Sequence, residues 1–414
     1  MDEFAQPADR RLLTTLVLGT IAWQGRLDYE LAQLSSRRLD ALDPEIRVIL
    51  RLGLYQLRHL SRIPPHAAVD TSVRLTRKHK GSGASGFVNA VLRGSLRNPV
   101  SLPPRACAQD AEYLAIAYSH PQWLVERFVE WFGDAAEAIM AANNEAAPNA
   151  IRLNLARGTA DAILKRIEAD GMEVASRGLF PETILLKGAP LFDSPSYRKG
   201  HFSAQSEASQ MVTHLLAPEP GATVIDCAAA PGGKSAHLAE LVGPEGKVIA
   251  LDINLAGLRQ ARTVAARLGH RNIHFLRSDT TASIPLPRHT FHYVLLDAPC
   301  TGLGTLREHP EIRWRLNPSD FARMANLQSP MLENAATMVA PGGVIVYSVC
   351  SPAPEEGAMV VNAFLASHSE FTIDVNSARS TPLADVIEAD GFMRTRPDLA
   401  SRDGFFAARL RKQA

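Results

Sequence analysis

From Gly221 onward one pattern recurs: a short apolar run rich in β-branched residues, a polar or helical stretch, then another apolar run. The runs are ATVIDCA, KVIALDI, IHFLRSD, HYVLLDAP and GVIVYSVC, and helical segments such as 255–268 and 321–339 separate most of them. Strands that alternate with helices are parallel, because each crossover brings the chain back to start the next strand at the same end. The pattern predicts an α/β doubly wound sheet, with ligands outside the carboxyl ends of the strands. GFFAARLR, near the end of the chain, alternates well enough for one more strand.

The front of the chain has a helical period instead. Leu13, Leu16, Val17 and Ile21 recur at helical spacing, followed by Leu27, Leu31 and Leu34. Asp43-Pro44-Glu45 combines a capping side chain, a first-turn proline and an acid at the positive helix end. Ile46, Ile49, Leu50, Leu54 and Leu57 then share one face, and Ile63-Pro64-Pro65 ends that helix. A further helix through Val69 and Val73 is expected to turn at Gly81–Gly83, and a last one carries Phe87, Val91 and Leu92. An all-α bundle over residues 1–104 is expected, closed by the linker Pro99–Pro104. Residues 105–200 read as helices to about 145 and then as a small α+β unit, and 201–414 as the α/β sheet domain.

Of 414 residues, 46% are hydrophobic and 21% charged, which excludes a disordered or low-complexity chain. The net charge is only +1, but it is unevenly placed: residues 1–100 hold 15 basic and 9 acidic side chains, the rest 29 and 34. A polyanionic partner is therefore expected at the front of the chain. The opening MDEFAQPADRR has no apolar signal core, and no apolar run is long enough to span a membrane, so a cytoplasmic protein with no membrane partner is expected. Cys107, Cys227, Cys300 and Cys350 form no C-x-x-C pair and have no histidine at zinc-finger spacing, so neither a disulfide framework nor a metal is expected.

The first strand of the sheet runs into Asp226-Cys227-Ala228-Ala229-Ala230-Pro231-Gly232-Gly233-Lys234-Ser235 and then a helix. Small residues there let backbone approach a ligand, and a helix start offers free N–H groups. Gly233-Lys234-Ser235 matches the end of a phosphate-binding P-loop, yet Ala228 stands where that motif needs its first glycine. A dinucleotide loop would need G-x-G-x-x-G, which is absent. A site for S-adenosylmethionine, which carries no phosphate, needs neither, and a plain turn is the remaining reading. Asp252, Asp279 and Asp297 then end three successive strands above the same crevice, where Asp252 could accept ribose hydroxyls and Asp279 could reach an adenine edge. Taken singly, each acid is more often a helix cap or a solvated strand end.

Cys300 follows the fourth strand in Asp297-Ala298-Pro299-Cys300, and Cys350 ends the fifth in Tyr347-Ser348-Val349-Cys350. Two thiols over a methyl donor's crevice suit methylation at carbon 5 of cytosine. That carbon is a weak nucleophile until a thiolate adds at carbon 6, and an acid near ring nitrogen 3, a role open to Asp297, would stabilise the addition. Two unremarkable strand-end cysteines are the bland alternative.

DCAAAPGGK, DAPCTGLGTLREHPEIRW and YSVCS resemble the signature motifs of RNA 5-methylcytosine methyltransferases. DRRLLTTLVLGTIAWQGRLD, EIRVILRLGLYQLRHLSRIPPHAAVD and GFVNAVLR are similar to the NusB-like domain of one branch, the RsmB (Sun, Fmu) family of 16S ribosomal RNA enzymes, and SHPQWLVERF and GHFSAQSEASQMV resemble its connecting region. The resemblance implies a multidomain chain: an all-α NusB-like bundle, a small α+β connecting domain and a Rossmann-like methyltransferase domain. It implies Cys350 as nucleophile, Cys300 aiding proton removal and release, and Asp297 beside them. S-adenosylmethionine would be held by Ala228, Ala229, Ala230, Pro231, Gly232, Gly233, Lys234, Asp252, Asp279 and Asp297. Small-subunit ribosomal RNA is the expected partner, and the protein is expected to act as a monomer.

Three departures stand out. Ala228 replaces the family's cysteine while Cys227 lies one place earlier, Val349 replaces a common threonine, and the NusB-like part is expected to lack its usual first helix. Arg74, Arg77, Lys78 and Lys80 are candidates for phosphate contacts, with a solvated helix face as the bland alternative, and Arg307, His309, Arg313, Trp314 and Arg315 for holding nucleotides beside an unstacked base, with plain core as the alternative for Trp314. A transfer RNA or 23S target, a non-catalytic NusB-like RNA binder, and a DNA enzyme using Pro299-Cys300 are the alternatives.

Overall fold

A computed structural model describes residues 7–188, 192–400 and 402–414. The chain divides into two compact units: the part up to Ala146 together with Leu306–Leu316, and Ala147–Thr305 together with Asn317–Ala414.

The first unit is helical. Its helices include Pro7–Ala22, Gln24–Leu34, Pro44–His59 and Pro65–Arg97, then Ala111–Ala117, Gln122–Phe132 and Ala136–Ala142. The Asp43 side chain accepts from the Glu45 amide and so caps the helix that begins at Pro44. Leu27, Leu31, Ile49, Leu50, Leu54, Val69, Val88 and Leu92 interlock in its core, joining the predicted apolar faces. The turn expected at Gly81–Gly83 is a sharp one: two helices meet at Gly81, whose backbone (φ +84°) leaves the helical region. Leu306–Leu316, which follows the Cys300 loop in sequence, packs within this helical unit through the short helix Ile312–Arg315.

The second unit opens with a four-stranded antiparallel sheet made of β1 (Asn149–Leu153), β2 (Val174–Arg177), β3 (Thr183–Leu186) and β4 (Phe202–Ala204), in the order β2-β3-β1-β4. The helix Ala160–Ala169 packs Ile163 and Ile167 against Ile151, Ile184 and Phe202. The large sheet comprises β5 (Thr223–Asp226), β6 (Lys247–Asp252), β7 (Ile273–Arg277), β8 (Phe291–Asp297), β9 (Val339–Val349), β10 (Phe371–Ile373), β11 (Met393–Arg394) and β12 (Phe406–Lys412). Its order is β10-β12-β9-β8-β5-β6-β7, with β11 paired to β12. β5 to β9 pair in parallel, as the strand–helix alternation predicts, whereas β12, the strand expected from GFFAARLR, is antiparallel to β9 and makes the sheet mixed.

Successive residues of the central strands fall into opposite cores. Val224, Leu295 and Val346 lie in one, and Ile225, Leu296 and Tyr347 in the other, so the sheet is covered on both faces. The chain runs from β5 outward through β6 and β7, then returns to β8 on the far side of β5. That reversal opens a crevice at the carboxyl ends of β5 and β8.

Candidate active site

The loop 227–232 leaves β5 at this crevice. Gly232 takes φ +103°, and a Cβ there would stand 2.7 Å from Ala261, so only glycine lets the loop turn this close to the helix Leu255–Leu268. The helix Gly233–Val242 begins with no side chain capping it, and a Cβ added at Gly233 would meet nothing within 4 Å. The first N–H groups of that helix therefore have no capping side chain. The Lys234 ammonium, which a P-loop would direct at phosphate, donates instead to Asp297 Oδ2 at 2.7 Å. Burial opposes that ammonium's charge, but Asp297 outweighs it and raises the Lys234 pKa, with charge at Cys350 and Asp226 adding to the effect.

Asp252 ends β6, and its carboxylate accepts from the Ala230 amide at 2.9 Å and the Asn254 amide at 2.8 Å. The next residue, Ile253, is 56% exposed and offers an apolar face beside that acid. Asp279 lies just past β7, exposed, and accepts from the Thr281 amide and hydroxyl. Uncapped amides, a strand-end carboxylate and an apolar face, with the lysine already engaged, fit a nucleoside-bearing donor without phosphate. An open cavity of about 800 Å³ lies at the opposite ends of the strands, beside Thr223, Tyr293, Val344 and Arg411.

The two expected thiols meet. Cys300 and Cys350 Sγ lie 3.2 Å apart, and neither is in a disulfide. Contact with Cys350 and burial push the Cys300 thiol well above its ordinary range. Asp297 stands beside them at the end of β8, its Oδ1 accepting from Ser348 Oγ at 2.7 Å. Cys227 is buried, and its thiol is pushed far up by desolvation, so it has no chemical part here. Asp226, buried behind the loop and accepting from Ser235 Oγ at 2.6 Å, has its pKa pushed up to about 6 by burial.

Sequence reasoning missed several partners. Ser348 was detectable, since it precedes Cys350 by two residues on a strand and so shares its face. Glu356, which reaches both cysteine loops, gave no such signal. A further group brings metal-ligating residue types together: one oxygen of Glu182 accepts from His214 Nε2 at 2.6 Å and His237 Nε2 at 3.3 Å. Those hydrogen bonds outweigh burial and hold Glu182 below the usual carboxylate range, while burial lowers His237 to about 4.

The basic residues expected at RNA fare unevenly. Arg313 is 0% exposed and donates to the backbone oxygens of Ala22, Ser119 and Asn143 and to Asn144 Oδ1. Trp314 donates its indole N–H to Ile21 O at 2.7 Å. Both brace the helical unit, which corrects their reading as nucleotide contacts: a guanidinium spent on four internal oxygens has nothing left to offer a phosphate. Lys80 pairs with Asp43 and Glu45, and Arg74 with Asp70, whereas Arg77 and Lys78 are exposed and without an ion pair among the described residues.

The parallel sheet, its switch-point crevice and the phosphate-free cradle define an S-adenosylmethionine-dependent methyltransferase. Family models match it as a 16S rRNA methyltransferase RsmB/F over residues 213–411, a NusB family domain over 2–97 and an RsmF/B-like ferredoxin-like domain over 120–191. The probable ribosomal RNA small subunit methyltransferase B of Bacillus subtilis is 33% identical over 409 residues, 98% of this chain and 91% of that one. The crystal structure of PH0851 superposes with a TM-score of 0.82 at 28% identity, covering 99% of this chain and 91% of the other. A methyltransferase homolog from Pyrococcus horikoshii gives 0.61 at 26% identity, over 75% of this chain and 100% of that one. The chain belongs to the ribosomal RNA small subunit methyltransferase B family.

Proposed function

We propose that this protein methylates carbon 5 of a cytosine in small-subunit ribosomal RNA, in the cytoplasm, through a covalent bond between Cys350 and carbon 6. The observation that carries this reading is the 3.2 Å approach of two free thiols, with Lys234, Asp297 and Ser348 beside them. The uncapped start of the helix Gly233–Val242, Asp252 and Ile253 would hold S-adenosylmethionine. Its chemistry, when bound, is an electrophilic methyl group that an electron-rich carbon 5 takes up.

The chain's own residues make carbon 5 electron-rich. Cys350, as thiolate, adds to carbon 6 and breaks the 5,6 double bond, while Asp297, acting as an acid with a proton passed from Lys234, offsets the negative charge that develops at ring nitrogen 3. Lys234 holds Asp297 in place. The proton on carbon 5 passes to a base from solvent, with Cys300 alongside aiding its removal. The double bond then re-forms and the bond to Cys350 breaks. The target base must leave its stack for the sulfur to reach carbon 6. Bisulfite sequencing of small-subunit ribosomal RNA from a deletion strain tests the reading. One cytosine should lose its protection and regain it on complementation, whereas an unchanged pattern would overturn the assignment.

A further inference from the structure

Glu356 is 0% exposed, yet no arginine, lysine or histidine pairs with it among the described residues. It lies in the turn between β9 and the helix Ala358–Ser367. Oε1 accepts from the Thr301 amide at 2.7 Å and Gln328 Nε2 at 3.3 Å, and Oε2 accepts from Thr301 Oγ1 at 2.6 Å and Ser351 Oγ at 2.5 Å. Its backbone oxygen accepts from Tyr347 OH. Thr301 follows Cys300 and Ser351 follows Cys350, so one carboxylate ties together the residues next to both thiols. Gln328 extends the tie, donating also to Pro299 O, just before Cys300.

All four groups on the carboxylate donate, so the acceptor-only ionised form is the one that satisfies them. A brace alone does not need that charge. A buried anion without a cationic partner is costly. The charge also has a direction. It acts on Cys300, whereas the cation of this site, Lys234, is coupled to Cys350. The other charged or titratable groups facing the pair are Asp297, alongside Lys234, and the buried Tyr347 hydroxyl.

We infer that Glu356 is a positioning residue for the two-thiol site: one buried carboxylate clamps both cysteine loops and sets its negative charge behind Cys300. The inference rests on the proposed roles of the two cysteines. It explains how two thiols in contact take different parts: the anion behind one and the cation beside the other divide them.

The test uses the full-length protein without RNA. Iodoacetamide reacts with thiolate, and mass spectrometry of the two cysteine peptides at low conversion gives each thiol's pH profile between pH 6 and 10. In the wild type, Cys350 should be alkylated at lower pH than Cys300. In Glu356→Gln, the Cys300 profile should move down by about one pH unit, a roughly tenfold gain in alkylation at a fixed pH below its midpoint, with the Cys350 profile moving less. An unmoved Cys300 profile in a variant that unfolds cooperatively would overturn the inference, as would a shift confined to Cys350. If Glu356→Gln does not fold, the wild-type order still decides, because Cys300 ionising first is incompatible with the charge assignment. No step of this test depends on methylation, so an unchanged bisulfite pattern would sink the cytosine reading separately.

Discussion

In the helical unit the Glu30 carboxylate, its side chain 4% exposed, accepts from Arg26 on its own helix and from Arg58 on another. In the α/β unit the Asp297 carboxylate keeps 27% of its side-chain surface open and accepts from Lys234 and Ser348. The same functional group is a buried cross-brace in one region and an open strand-end group in the other. Geometry makes the difference. Side chains on packed helices point sideways into neighbouring helices, so a charge there must find its partner across the bundle. A parallel strand ends at the rim of its sheet, and its last side chain projects where neither layer of helices covers it. The arginines repeat the contrast: Arg313 sits among internal oxygens with its pKa lowered to about 9 by burial, while Arg77 stays in water.

The largest expected effect separates the two thiols. Cys350→Ala should lower methylation on the order of 10³-fold or more and form no covalent RNA complex. Cys300→Ala should be equally inactive in turnover but accumulate an adduct that survives a denaturing gel. The mirror image would exchange the roles of the cysteines, and full activity in both variants would end the covalent reading.

Arg313→Met tests the brace. It leaves four buried oxygens without their donor, which should cost the helical unit about 3–4 kcal/mol. All four tryptophans, Trp23, Trp123, Trp131 and Trp314, lie in that unit, so their fluorescence in a urea titration follows it selectively. Unchanged stability with weakened RNA binding would restore Arg313 as a nucleotide contact.

Asp226 carries a pH dependence in the α/β unit. Its folded pKa of about 6 lies above the ordinary carboxylate range, so its neutral form suits the fold. The stability it contributes is complete below about pH 4 and is lost as pH rises through 6, on the order of 2–3 kcal/mol. Calorimetry should show Asp226→Asn more stable than the wild type at pH 7.5, with the advantage gone at pH 4. No pH-dependent difference would mean that the site is wetter than its burial indicates.

The smallest effect belongs to the exposed charges. Arg77→Ala and Lys78→Ala should each leave stability within about 0.5 kcal/mol while lowering the salt slope of RNA binding by about one. Unaltered slopes would move the RNA-binding face away from this cluster.

The α/β sheet was legible because each buried strand must be a short β-branched run, and because parallel strands place their ends, and hence Asp252, Asp297 and Cys350, along one rim. The helical faces around Leu50 and Leu54 were legible from their 3.6-residue period. The antiparallel entry of β12 between β9 and β10 was not, since alternation specifies a strand but not its neighbours. Arg313 and Trp314 misled for a related reason: they lie close in sequence to Cys300, yet their segment packs within the helical unit.

By itself, then, the sequence determined which residues could carry chemistry and on which strand ends they would fall, because local periodicity and strand polarity are properties of short segments. Tertiary structure alone decided which of them share an atom's reach: the 3.2 Å between the thiols, the diversion of Lys234 from any phosphate to Asp297, and the single carboxylate of Glu356 that joins both cysteine loops. Apart from Glu356 with Ser351, five positions away, those contacts join residues 50 or more positions apart, and only the packing of the sheet brings them together.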